Sequence, residues 1–223
     1  MASNYTYSFF RISKTDDIGT SAKKYRELRL QALKTSPSSF SSTYEIEAAF
    51  SDTDWIDRLT SPGREVFICA ATSTDQDACD TQWVGQVTLR GPASSGDFEL
   101  PPEAGQPPQR SDEEEERWQM LSLFTLPGHR GRGLGGKLCQ ASIDWLRSSR
   151  SFPRDVQVRL IVKAGNDVTV NLYQRLGFIH AGKATLVEAL IANGDEHLIP
   201  EDGDESIHSV RQGLIMISRI SRD

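Results

Sequence analysis

Apolar positions along the chain change period several times, and the changes mark out strands and helices. Tyr7 to Ile12 reads as a first strand. Lys23 to Leu33 follows as a helix with Tyr25, Leu28 and Ala32 on one face, stopped by Pro37 and its serine neighbours. Tyr44 to Phe50 reads as a further helical turn. Asp52 or Thr53 then caps a short helix carrying Trp55, Ile56 and Leu59, closed by Pro62-Gly63. Glu65 to Ala71 and Trp83 to Leu89 are β-rich runs joined by the polar stretch Ser73 to Asp80. Trp118 to Leu126 is the next strand, after which Leu134, Leu138, Ala141 and Trp145 recur at helical spacing. Val156, Val158, Leu160 and Val162 alternate as a strand does. A short helix runs from a cap at Asn166 or Asp167 to Arg175, with Gly177 ending it. Phe178 to Ala181, continued to Leu190, and Ile207 to Ile220 read as the last two strands, separated by the polar stretch Asn193 to Glu205.

Gly91 to Glu116 breaks this rhythm. Pro101, Pro102, Pro107 and Pro108 interrupt any regular element, and Asp112 to Glu116 are five acids in succession. Such a segment buries too little apolar surface to offset its ordering entropy, so residues 91–116 are expected to be a flexible, acidic, proline-rich insertion. Its functional reading is an acidic lip that attracts cations. Around it, 223 residues with 37% hydrophobic content suit a single domain spanning 1–223.

Charge and cysteine usage narrow the classes. A net charge of −6 argues against general nucleic-acid binding. Cys69, Cys79 and Cys139 are odd in number and match no metal spacing, so buried free thiols in a reducing compartment are expected. His180, His197 and His208 show no ligand spacing, and no metal is expected. The N-terminus lacks a signal-peptide apolar region and no run is long enough to span a membrane. The expected location is the cytoplasm, with the nucleus as the alternative, and the expected state a monomer or homodimer.

Candidate chemistry concentrates in Ser122 to Leu138, where an apolar run ends at Pro127 and a glycine- and arginine-rich turn opens a long helix. Unpaired N–H groups and the helix dipole gather there, Arg130, Arg132 and Lys137 add charge, and glycines allow close approach, as a pyrophosphate site requires. Gly131-Arg-Gly-Leu-Gly-Gly136 fits the dinucleotide pattern G-x-G-x-x-G. That pattern normally opens its domain and wants an acid ending the next strand. Here several elements precede the turn and the strand ends in Val162-Lys163, with Asp155 at its start.

Arg130-Gly-Arg-Gly-Leu-Gly135 also fits Q/R-x-x-G-x-G/A, the acyl-CoA loop of the GCN5-related N-acetyltransferases, the GNAT superfamily. Asn166 to Phe178 resembles that family's N-x-x-A-x-x-x-Y-x-x-x-G-F segment, with Thr169 in place of alanine. Arg29 to Leu33, Ser36 to Phe40 and Trp55 to Leu59 are similar too, so the resemblance covers nearly the whole chain. It implies an α/β (α+β) GNAT fold: a mixed, mostly antiparallel sheet splayed between the fourth and fifth strands, with helices on both faces. It implies acetyl-CoA as cosubstrate. Main-chain groups of Leu123, Phe124 and Thr125 then resemble those that pair with the pantetheine arm. Arg130, Gly131, Arg132, Gly133, Leu134, Gly135 and Gly136 resemble the pyrophosphate loop. Asn166 resembles a cofactor contact and Tyr173 the general acid for the departing thiolate. Read without the motif, Tyr173 is a core tyrosine, Asn166 an N-cap and His129 a turn residue.

No carboxylate stands where several relatives keep a base: those stretches offer Arg159, Ile161, Lys163, Gln119 and Ser122. Glu45, Glu47 and Glu116 are the remaining candidates. The acceptor segments by resemblance are Ser36 to Phe50 and Asn193 to Glu205, with Phe40 and Glu45 as substrate contacts. They supply Glu45, Glu47, Asp195, Glu196, Glu201, Asp202, Asp204 and Glu205 and no basic cluster. The expected reaction is direct acetyl transfer to a small cationic primary amine, such as an arylalkylamine or polyamine. The alternatives are a protein N-terminus or lysine as acceptor, or a non-catalytic CoA-binding or interaction module.

Overall fold

A computed structural model describes residues 5–74, 81–199 and 210–222. Cys79, Glu201, Asp202, Asp204, Glu205, Ile207 and His208, on which expectations rested, lie outside the described residues. The elements are β1 (Tyr5–Arg11), α1 (Ile18–Thr35), α2 (Tyr44–Ala48), α3 (Asp52–Thr60), β2 (Arg64–Ser73), β3 (Thr81–Ala93), α4 (Ser95–Phe98), β4 (Glu115–Thr125), α5 (Leu134–Ser148), β5 (Asp155–Lys163), α6 (Asp167–Arg175), β6 (Ile179–Ala184), α7 (Leu186–Asn193) and β7 (Gly213–Ser221). Hydrogen bonding orders the strands β1-β2-β3-β4-β5-β7-β6. β1–β2, β5–β7 and β6–β7 are antiparallel. β4–β5 is parallel, and its pairing ends at Gln119 opposite Arg159 although β4 runs on to Thr125 and β5 to Lys163. The sheet is therefore mixed and splayed at β4–β5.

The chain forms two compact units, Met1–Thr88 with Ser122–Ile143, and Leu89–Leu121 with Asp144–Asp223. Their boundaries fall inside β3, β4 and α5, so no linker separates them.

In the first unit, α1 buries Ala22, Tyr25, Leu28, Arg29, Ala32 and Leu33, an i, i+3, i+4, i+7 stripe that extends the expected helix at both ends. The cap of α3 is Ser51, one residue before the expected Asp52 or Thr53. Its hydroxyl accepts from Asp54 N at 3.2 Å and the Asp54 carboxylate accepts from Ser51 N at 2.7 Å, a reciprocal capping box. Trp55 of α3 meets Tyr25 of α1 edge-on at 5.9 Å. Leu134, Leu138, Cys139 and Ile143 are buried on α5, whereas the expected Ala141 is half-buried. A Cβ on Gly85 would press against Leu138, the Phe124 carbonyl and Thr125, so β3 needs glycine to pass this close.

In the second unit, Leu186–Asn193 is helix, not the strand continuation expected as far as Leu190. Thr185 and Glu188 form a capping box and Gly194 ends the helix in the left-handed region. Those local signals override an apolar run whose period alone is ambiguous. β7 begins at Gly213. The segment between β3 and β4 buries more than its composition suggests. Phe98 and Ala104 are buried, and Ala104 joins Ala184, Ile215 and Ile217 with Leu100 against them. Each such aliphatic or aromatic burial contributes roughly 1.5–3 kcal/mol for the large side chains. Two buried arginines bind the segment's main chain: Arg159 donates to the Phe98 carbonyl at 2.5 Å and stacks on its ring, and Arg117 donates to the Arg110 and Ser111 carbonyls and to Asp112. Glu115 and Glu116 are not part of a solvated acidic run. Both lie buried in β4, paired with Arg219 and with Arg222 and Arg150 respectively. Trp145, expected as fully buried, is half-buried and meets Trp118 at 5.6 Å.

Candidate functional site

In the first unit the site is built at the end of β4. The described β4–β5 register ends at Gln119, before the last residues of β4. Ser122 then adopts φ +57°, a left-handed conformation unusual for a non-glycine residue inside a strand. Its carbonyl accepts from Gln86 Nε2 at 3.3 Å and its Oγ from Arg29 Nη1 at 3.5 Å. Arg29 is itself gripped by Glu47 through two bonds of 2.9 and 2.6 Å. Burial raises the Glu47 carboxyl, but the hydrogen bonds and charge of Arg29, with Arg58 and Ser42, outweigh it and hold the group below its ordinary value.

Leu123 and Thr125 are half-buried and Phe124 is buried. Phe124 lies 6.0 Å from the Phe40 ring, which in turn takes the Arg29 guanidinium on its face at 4.5 Å. Arg130 folds back onto this strand end, donating to the Thr125 carbonyl at 3.0 Å and to Ser36 Oγ at 3.3 Å. The structure thus brings together Phe40, Leu123, Phe124, Thr125 and Arg130. Gly131 and Gly133 take φ +76° and +73°, which glycine adopts without strain. A Cβ on Gly131, Gly133 or Gly136 would find no atom within 4 Å. α5 starts at Leu134, and an α-helix leaves the N–H groups of its first residues, here Leu134, Gly135 and Gly136, without intrahelical partners, beside exposed Arg132. The arrangement suits a pyrophosphate held by main-chain donors.

His129 braces the loop from behind. Its Nδ1 lies 3.0 Å from the Tyr7 hydroxyl and its ring 4.9 Å from Tyr5. Burial, then the Arg132 charge, lower its pKa below the usual 6.5. An unfolded chain therefore binds a proton near pH 6.5 that the folded loop refuses. The stabilisation is present above about pH 6.5 and is lost as pH falls toward the folded value. Wild-type melting temperature is expected to drop more steeply between about pH 7 and 5 than that of His129→Phe. Coincident slopes in thermal melts contradict this role.

In the second unit, Asn166 caps α6, accepting from Thr169 N at 3.4 Å. Tyr173 is buried and packs on Phe178 at 5.6 Å, and Gly177 turns the chain at φ +85°.

The candidate bases fare unequally. Glu47 is committed to Arg29, and Glu116 to Arg222, Arg150 and the Trp118 indole. Glu45 is exposed on α2. Burial pushes the Cys69 thiol up to about 11 and the Cys139 thiol to about 12, so neither is a thiolate near neutrality. Among the described residues no three His, Cys, Asp or Glu side chains form a metal-binding group, and no helix is long and apolar enough to cross a membrane. Sequence reasoning missed Gln86, and it passed over the one signal for Arg29, a charge at a position in the apolar stripe of α1.

A model of the acetyltransferase (GNAT) family matches residues 32–178. No curated protein matches the chain. Among solved structures, an acetyltransferase of the GNAT family from Streptococcus pneumoniae is similar over 96% of this chain and 100% of its own, with 14% identity and a TM-score of 0.55. Arabidopsis thaliana NAA60 in complex with a bisubstrate analogue is similar over 97% and 100%, with 15% identity and a TM-score of 0.54. yncA from Salmonella typhimurium with its cofactor acetyl-CoA is similar over 99% and 95%, with 16% identity and a TM-score of 0.52. At these identities the likeness is one of fold.

Proposed function

Because the chain belongs to the acetyltransferase (GNAT) family, we propose that it transfers the acetyl group of acetyl-CoA directly to a primary amine. The observation that carries this reading is the open glycine turn at the start of α5, where a Cβ on any of three glycines would meet no atom within 4 Å beside a helix N-terminus. In this reading Arg130 to Gly136 hold the pyrophosphate, mainly through main-chain N–H groups. The main chain of Leu123 to Thr125 pairs with the pantetheine arm, which the end of the described β4–β5 register at Gln119 favours. Asn166 contacts the cofactor near the end of β5.

The chemistry is a nucleophilic attack by a neutral amine on the thioester carbonyl. The C–N bond forms, the C–S bond breaks, the attacking nitrogen gives up a proton to water, and the departing thiolate takes one from an acid that solvent then reprotonates. A thiol of pKa about 8.5 is a fair leaving group, so placement of amine against thioester supplies much of the acceleration. Main-chain N–H groups at the splayed strand stabilise the oxyanion. Tyr173 gives the thiolate its proton. Tyr173→Phe is expected to lower kcat about 10²-fold, at the low end for a general acid, with the KM for acetyl-CoA changed less than about twofold. Steady-state kinetics check this, and an unaltered kcat leaves Tyr173 a packing residue. The base is left unassigned: Glu47 and Glu116 are held by arginines, Glu45 is exposed, and water carries the ammonium proton away. Among the described residues, burial holds the Cys69 and Cys139 thiols protonated near neutrality, which favours direct transfer over an acetyl-cysteine route through either.

For the acceptor we favour a small cationic amine, over a protein N-terminus or lysine. The support is the net charge of −6 together with exposed Glu45 and Glu196 in the acceptor segments. Acetyl transfer from acetyl-CoA to a panel of amines and basic peptides, at low and high salt, tests it. The expected result is turnover with kcat/KM highest for small cations and reduced by salt. Preference for neutral or anionic acceptors with no salt effect contradicts the acceptor class. CoA binding without turnover of any amine would leave a non-catalytic module.

A further inference from the structure

Ser122 occupies a backbone region that a non-glycine residue holds only where its surroundings over-determine it. It sits in β4 three residues beyond the last residue paired to β5. A left-handed residue inside a strand re-aims the main chain that follows it, here that of Leu123. Both polar groups of Ser122 are held from different elements: the carbonyl by Gln86 of β3 and the hydroxyl by Arg29 of α1. These holders are themselves fixed. Gln86 is fully buried, and among the described residues its Oε1 has no partner while its Nε2 donates to the Ser122 carbonyl. Arg29 is clamped by Glu47 on one side and by the Phe40 ring on another. Neither Gln86 nor Arg29 has a group suited to acid–base work or nucleophilic attack at this position, because the arginine is permanently protonated and the amide does not titrate. Their arrangement suits placement.

We propose that Gln86 and Arg29 are positioning residues that lock Ser122 in its left-handed conformation and so aim the Leu123 main chain at the acetyl thioester. This rests on the reading that β4 receives the pantetheine arm. The geometric demand is strict, since a displacement of about 1 Å at a reacting centre costs up to about 10²-fold in rate.

The test separates positioning from stability. Ser122→Gly removes the hydroxyl held by Arg29, yet glycine accepts a positive φ without strain, so the fold should be kept. Its melting temperature is expected to equal or exceed wild type while kcat falls about tenfold and the KM for acetyl-CoA changes less than about twofold. Gln86→Leu, which frees the Ser122 carbonyl, is expected to lower kcat similarly. Ser122→Asn keeps a polar side chain and tolerates the left-handed region, so it should recover most of the rate. Ser122→Gly and Gln86→Leu with kcat within about twofold of wild type overturn the proposal. A wild-type protein that releases no CoA from acetyl-CoA with any amine instead overturns the parent reading, and this proposal with it.

Discussion

Gly136→Trp is expected to weaken CoA binding at least about 1,000-fold, a loss near 4 kcal/mol, without unfolding the protein. The choice of position is structural. Gly133 is at φ +73°, so any side chain there strains the backbone and confounds the result. Gly136 lies in the first turn of α5 and is not among the residues with positive φ, and a Cβ on it meets no atom within 4 Å. A side chain therefore leaves the backbone there without a clash at its Cβ, and replacing glycine in a helix gains a few tenths of a kcal/mol. The indole fills the space in front of the Leu134 to Gly136 N–H groups. Titration calorimetry with CoA reads the binding loss, and a melting temperature within about 3 °C of wild type shows the fold retained. Unchanged CoA affinity in the folded variant contradicts the loop assignment.

The second large effect is on stability. Arg29→Met is expected to destabilise the protein by about 3 kcal/mol at pH 7, at the low end for breaking a buried pair. The end of the range follows from Arg58, whose Nη1 lies 3.5 Å from the same carboxylate and remains in the variant. The pH dependence is diagnostic. In the wild type the Glu47 carboxyl is held below its ordinary 4.5, so its contribution is present above that value and is lost as pH falls through the folded value. In Arg29→Met burial raises the carboxyl instead, and protonation relieves the stranded charge. The deficit should therefore be largest near neutrality and shrink below about pH 4.5. Urea unfolding across pH measures it. A pH-independent deficit under about 1 kcal/mol contradicts the account of the pair.

What the sequence discloses here follows the range of the interactions. The glycine turn and the segment from Asn166 to Phe178 are local patterns, and both lie where their spacing says, at a helix start and across a helix. Ser51 and Thr185 stand three residues before Asp54 and Glu188, a capping-box spacing that a reading by apolar period passes over at both places, and the apolar run after Thr185 also reads as a strand. The segment between β3 and β4 resists local reading for another reason. Arg117 and Arg159 hold it partly through main-chain carbonyls, which carry no residue identity. The left-handed Ser122 has no local signature either, since serine does not favour it. It depends on Gln86 and Arg29, 36 and 93 positions away.

The central claim is direct transfer from acetyl-CoA to an amine. Its sharpest measurement follows free CoA and the intact mass of the protein, with acetyl-CoA alone and with amine added. The account predicts CoA release that depends on amine, an equal yield of acetylated amine, and no gain of an acetyl mass by the protein. An acetylated protein formed without amine and consumed when amine is added contradicts it.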